Sequence, residues 1–165
     1  MPTPEFVLKL REKIGHDLLL LPGVTGVVVN DAGEVLLVRS RNTQEWTPIG
    51  GVMEPHEEPA DTLVREICEE TGVTAVPERI VSVDALDEMQ YPNGDRACYL
   101  TTTFLCRAVS GTPKVADEES TAVRYFAPDA LPPMKPRHRR RIGLALGSEQ
   151  RAAFTCAGVD HPRAR

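Results

Sequence analysis

The chain has 165 residues, 41% hydrophobic and 26% charged, with a net charge of −5. That length points to one domain spanning residues 1–165, whose core needs no disulfide or metal staple, and the composition excludes a disordered chain. The acidic balance excludes indiscriminate binding to polymeric nucleic acid, which needs a broad basic surface; a small phosphate ligand stays open, because divalent cations reverse local charge.

In chain order, Pro4 to Gly15 reads as a short amphipathic helix, with Phe6, Val7, Leu10 and Ile14 on one stripe. It is expected to pack on the domain or on a second copy, so monomer and homodimer are both open. Glu5, Lys9, Arg11 and Glu12 stand where a signal peptide needs an apolar stretch. Leu18 to Leu21 is far too short to cross a membrane. A cytoplasmic protein without membrane partners is therefore expected. The four cysteines, Cys68, Cys98, Cys106 and Cys156, lack metal-ligand spacing and read as buried thiols in a reducing compartment.

Thr25 to Asn30 and Glu34 to Arg39 form a predicted hairpin around Asp31-Ala32-Gly33. Ser40 to Pro48 and Gly50 to Glu58 read as loops. Pro59 to Thr71 is a predicted helix, with Pro at its start, Gly72 past its end, and Ala60, Leu63, Val64 and Ile67 on its apolar face. Glu78 to Glu88 and Arg96 to Arg107 are predicted strands around the Asn93-Gly94 turn, and Ala122 to Phe126 is a short last strand. Pro136 to Leu146 is a predicted terminal helix whose basic run, Arg137 to Arg141, reads as a solvated face. The tail, about 158–165, is expected to be disordered.

Chemistry concentrates on the helix after Pro59. Glu66, Glu69 and Glu70 lie at i, i+3 and i+4, in one sector of the helix. Like charges at that spacing repel, and the helix dipole disfavours anions near the C-terminus. Such a trio is either a solvated acidic face or a ligand set for a hard divalent cation, Mg²⁺ or Mn²⁺, both of which prefer oxygen.

The wider pattern is Gly51, five residues, Glu57, seven residues, then Arg65, Glu66, Ile67, Glu69, Glu70, Gly72 and Val73. It resembles the signature of the Nudix hydrolases at every defined position. A chance match in a chain of this length is on the order of 10⁻⁷. The resemblance implies the α+β class, an α/β/α sandwich with a mixed β-sheet. It also implies a Mg²⁺- or Mn²⁺-dependent enzyme that hydrolyses a nucleoside diphosphate linked to another group, in a house-cleaning role. By the same resemblance Glu66, Glu69 and Glu70 bind metal, and Glu66 is the catalytic base. Gly50 adds a carbonyl ligand, and Glu119, with Glu118 as its rival, adds a late carboxylate. Glu57 and Arg65 pair to fix the loop on the helix, with Gly51 and Gly72 as structural support. One departure is Ile49, which separates Pro48 from the paired glycines.

For substrate, Arg39 and Arg41 are candidate phosphate holders or solvated side chains. Trp46 is a candidate stacking platform or a loop anchor, and Tyr91 and Tyr99 are weaker aromatic candidates. Nucleoside triphosphates, nucleotide sugars, ADP-ribose and dinucleoside polyphosphates all stay open. The alternative from another class is a catalytically silent nucleotide-sensing module on the same fold, which has no need of all three glutamates.

Overall fold

The computed structural model describes residues 3–156; the predicted disordered tail lies outside them. Three helices and eight strands follow in the order α1 (Glu5–Ile14), β1 (Leu19–Val29), β2 (Val35–Ser40), β3 (Trp46–Thr47), β4 (Ile49–Val52), α2 (Pro59–Thr71), β5 (Thr74–Ala85), β6 (Met89–Gln90), β7 (Arg96–Ser110), β8 (Ser120–Phe126) and α3 (Pro136–Leu146). No helix among the described residues is long and apolar enough to cross a membrane.

The sheet is mixed, and β1 is its axis. β1 runs parallel to β7 along its whole length, from the Leu19–Ala97 pair to the Val29–Arg107 pair, and β5 lies antiparallel on the far side of β7. The other edge of β1 is shared. β2 pairs with it only at Val28 and Val29, and β4 takes the edge freed at Gly23 to Gly26. β2 then diverges, carrying β3 and β8. The sheet therefore splits beside the first half of β1.

Near-continuous burial along β1 and β2, whose successive side chains point to opposite faces, supplies two cores, one per face. Val24, Val28, Leu36, Val38, Ile49 and Phe104 pack with Leu63 and Ile67 of α2. Val27, Val35, Leu37 and Val81 pack with Ile142 and Ala145 of α3. This is the expected α/β/α sandwich. α1 packs on the domain itself: Val7 is buried with Leu21 and Ala97, whereas Leu10, placed on the predicted stripe, is exposed.

α2 obeys its local signals. Pro59 occupies the first turn, where a missing N–H costs nothing. Gly72 ends the helix in the left-handed region at φ +67° and donates its N–H to the Cys68 carbonyl.

Several strand limits differ from those predicted. β1 starts at Leu19 rather than Thr25, because the stretch around Pro22 and Gly23 is held by pairing with β7 and β4 rather than by local propensity. Gly50 and Gly51, predicted as loop, are the middle of β4. Trp46 and Thr47, also predicted as loop, pair with Arg39 and Val38. β5 begins at Thr74, not Glu78, and crosses Pro77 through register shifts. The expectation of four buried thiols holds only for Cys106; Cys68 and Cys156 are exposed and Cys98 is half-buried.

Candidate active site

The C-terminal half of α2 carries the acidic trio against β4. Glu66 is 1% exposed. Its carboxylate lies against the backbone of Gly51, where an added Cβ would fall 2.4 Å from Cδ of Glu66. An added Cβ on Gly50 would meet the Val24 carbonyl at 2.5 Å. The paired glycines therefore let an edge strand and a glutamate share one space, although β-propensity alone disfavours glycine there.

Arg65 ties the preceding loop to this face. It donates from Nε to Oε1 of Glu57 at 2.8 Å and from Nη2 to Oε2 at 3.0 Å. Its Nη1 donates to Oε1 of Glu66 at 2.7 Å and to Oε2 of Glu69 at 3.2 Å. Glu57 also accepts from Thr62 Oγ1 and from the Glu54 N–H, which closes the turn around His56. The fork geometry suits Arg and would be lost with Lys.

A second loop is strapped to the end of α2. The N–H groups of Lys114 and Ala116 donate to the carbonyls of Thr71 and Glu70. Asp117 Oδ1 accepts from the N–H of Glu119 and of Ser120, each at 3.1 Å. Arg41 clamps the same loop: its N–H donates to the Glu119 carbonyl, and its guanidinium to the carbonyls of Glu118 and Ser120. Glu119, not Glu118, joins Glu70, Gly50 and Gly51 in the wall of a cleft of about 780 Å³ at the split in the sheet.

Electrostatics follow from this packing. Burial pushes the Glu66 carboxyl up to about 7 against the opposing pull of Arg65. Burial, then the charges of Glu66 and Asp117, push Glu70 up to about 8. Hydrogen bonding from Arg65 holds Glu57 down at about 2. These shifts set opposite pH trends for protein kept in chelator. Glu66 and Glu70 bind protons more tightly folded than unfolded, so stability falls as pH rises from about 4.5 through 8. Glu57 stabilises above about 4.5 and loses that contribution as pH falls towards 2. Thermal melts in EDTA are expected to show a lower Tm at pH 8 than at pH 5, and, on the acid side, a separate fall below pH 4. A Tm that rises from pH 5 to pH 8 would contradict the acidic half of this picture.

Among the described residues, no three His, Cys, Asp or Glu side chains are preassembled around a common point. Arg65 Nη1 instead bridges Glu66 and Glu69. The donor set is nonetheless all hard oxygen, and burial, the main cause of the upward shifts at Glu66 and Glu70, disfavours their ionised forms unless a cation compensates. Both facts fit Mg²⁺ or Mn²⁺.

The substrate candidates are placed differently. Arg39 donates from Nε to the Gln44 carbonyl at 3.0 Å. Trp46 packs edge-on against Phe126, with centroids 4.8 Å apart, and joins the α3-side core. Neither these residues nor Arg41 line the cleft among the described residues. Tyr91 and Tyr99 do line it, and their hydroxyls share a 2.5 Å hydrogen bond. Both also line an adjoining cavity of about 470 Å³ under α1, which shares Gly50 and Gly51 with the cleft.

The predicted solvated face of α3 needs correction. His138 and Arg141 are buried, 8% and 3% exposed, and line the cleft with Lys135 and Arg137. The signal was present in the sequence: 138, 141, 142 and 145 form a helical stripe that includes Ile142 and Ala145. Burial first, then the charges of Arg137, Arg141 and Lys135, push His138 down to about 4.

Comparison with known proteins agrees with this architecture. Residues 19–144 match the NUDIX domain family. A MutT-like protein of Streptomyces ambofaciens is 36% identical over 108 residues, which cover 66% of this chain and 64% of that protein. The 8-oxo-dGDP phosphatase NUDT18 of Mus musculus is 27% identical over 165 residues, which cover 96% of this chain and 45% of that protein. The chain thus spans less than two thirds of these relatives. The crystal structure of a UDP-X diphosphatase superposes with a TM-score of 0.61 at 25% identity, covering 86% of this chain and 68% of that one. The matched region runs from the start of β1 into the last turn of α3 and contains all nine motif positions on α2, its flanking loop and β4; the chain belongs to the Nudix family.

Proposed function

We propose that this protein hydrolyses the phosphoanhydride of a nucleoside diphosphate linked to another group, with Mg²⁺ or Mn²⁺. The observation that carries this reading is the Glu66 carboxylate, buried against Gly51 beside a cleft large enough for a nucleotide. Glu66, Glu69, Glu70, the Gly50 carbonyl and Glu119 would hold the ions. Once bound, the ions supply Lewis acidity at the phosphoanhydride. Glu66 accepts a proton from the attacking water at its carboxylate. Arg65 holds that carboxylate in place from Nη1, while Glu57 fixes Arg65. Gly51 excludes any side chain from the same space.

The cavity beneath α1, with Tyr91, Tyr99 and Val52 in its walls, suits a base or sugar. Gly50 and Gly51, which this cavity shares with the cleft, would place the diphosphate at the acidic face. The named activities of the mouse relative and of the UDP-X diphosphatase both concern nucleoside diphosphates, which supports this substrate class.

The test is a panel of nucleoside diphosphate derivatives and triphosphates with Mg²⁺ or Mn²⁺, following phosphate release with and without added pyrophosphatase. Metal-dependent cleavage of at least one compound, abolished by EDTA, is expected. Tight nucleotide binding without cleavage would instead establish the sensing module.

A further inference from the structure

The two helices that meet at the cleft are both charged against their own dipoles. α2 presents glutamates near its C-terminus and α3 presents basic residues near its N-terminus. The acidic end is accounted for above; the basic end is not.

Arg141 is buried, with its side chain 4% exposed, yet its neutralisation is incomplete. Nε lies 3.5 Å from Oδ2 of Asp84, and Nη1 donates weakly to Thr25 Oγ1 at 3.3 Å. Nη2 is buried with no hydrogen-bond partner among the described residues. Asp84 is also shared, since it accepts from Arg140 and from Ser82 Oγ. One turn earlier Arg137 lines the same cleft, and its side chain forms no ion pair or hydrogen bond among the described residues. Lys135 is paired with Glu45 at 3.0 Å. Asp87 lines a smaller cavity behind Arg137, Arg140 and Arg141. His138, between them, is held neutral by burial and by these charges, so it adds no cation of its own.

A desolvated guanidinium with an unused N–H, four residues from a second unpaired guanidinium, invites an anion that accepts several hydrogen bonds. Phosphate fits that geometry. Arg141 belongs to the α3 layer and Glu66 to the α2 layer, on opposite faces of the sheet. Both nevertheless flank one cleft, Arg141 directly and Glu66 through Gly51. We propose that Arg137 and Arg141 form a second anion subsite, which takes a phosphate group of the substrate beyond the scissile diphosphate. This inference rests on the proposed hydrolase reading only for its activity readout. It narrows the substrates to nucleotides that carry an additional phosphate.

Two measurements test it. The first compares kcat/KM within matched pairs that differ by one phosphate: NADPH with NADH, coenzyme A with its dephospho form, and dGTP with dGDP. In at least one pair the phosphorylated member is expected to be preferred by about 10- to 100-fold, the range for a charged hydrogen bond. That preference should collapse in Arg137→Met, an exposed site, and in Arg141→Lys, which keeps the charge but loses the fork. It should persist in Arg139→Met, whose guanidinium instead reaches the Pro132 carbonyl. The second follows thermal melting in EDTA with inorganic phosphate or with acetate at equal ionic strength. Phosphate alone should raise the Tm, and the rise should vanish in Arg137→Met. The proposal is overturned if no pair shows a preference, if the preference survives both arginine variants, or if acetate protects equally. Should no compound be cleaved at all, the hydrolase reading fails, and the EDTA melts decide the subsite alone.

Discussion

Glu66→Gln is expected to lower kcat by about 10² to 10⁴, the usual contribution of a positioned general base. The substitution keeps the side chain's volume, so the fit against Gly51 and the cores beneath α2 are preserved. What it removes is the proton acceptor and one negative charge. The second effect has its own signature. Burial is the main cause that pushes Glu66 up to about 7, so the ionised group is costly in the folded protein above that pH. The amide carries no such cost. In EDTA at pH 8 the variant should melt above the parent while turning over substrate far more slowly. A purely structural glutamate would show the reverse: a lower Tm and little change in kcat. Turnover with Mg²⁺ and melting in EDTA, measured on the same preparation, separate the two. Unchanged turnover would remove Glu66 from the catalytic role. Glu69→Gln should destabilise little in EDTA, since that side chain is 57% exposed.

The contrast between α2 and the rest of the cleft shows what sequence can carry. α2 was legible to the residue, because its start, its end and its apolar stripe are all local: Pro59, Gly72, Leu63 and Ile67 lie within one stretch of chain. The motif lies on the same stretch. The position of Gly50 and Gly51 was not legible, because β4 exists through its pairing with Gly23 to Gly26, and two glycines have no strand propensity to announce it. Arg41 shows a second limit. An arginine near a glycine loop suits phosphate, but here its guanidinium is taken by carbonyls of a loop almost eighty residues later. Trp46 likewise finds Phe126 on a distant strand. The α3 arginines show a third limit. A run of like charge suggests a solvated face, whereas the stripe through His138, Arg141, Ile142 and Ala145 decides which of them turn inward.

Gly51→Ala should impair catalysis about as severely as a direct change at the base, although no charge is altered. Its methyl group would sit 2.4 Å from Cδ and 2.5 Å from Oε1 of Glu66. An exposed glutamate would swing aside, but Glu66 is enclosed between β4 and α2 and held by Arg65. Either β4 must separate from α2 or the carboxylate must leave its place. Displacements near 1 Å at a reacting group cost about 10²-fold. Overpacking of this kind costs about 1–3 kcal/mol of stability. Gly143→Ala is the matched control. It lies within α3, an added Cβ there meets nothing within 4 Å, and alanine in a helix should stabilise by roughly 0.5–1 kcal/mol. Activity and denaturant unfolding of both variants should therefore diverge: large losses for Gly51→Ala, and parental turnover with a small stability gain for Gly143→Ala. If Gly51→Ala kept parental kcat, the close packing of Glu66 on β4 would have no part in positioning the base.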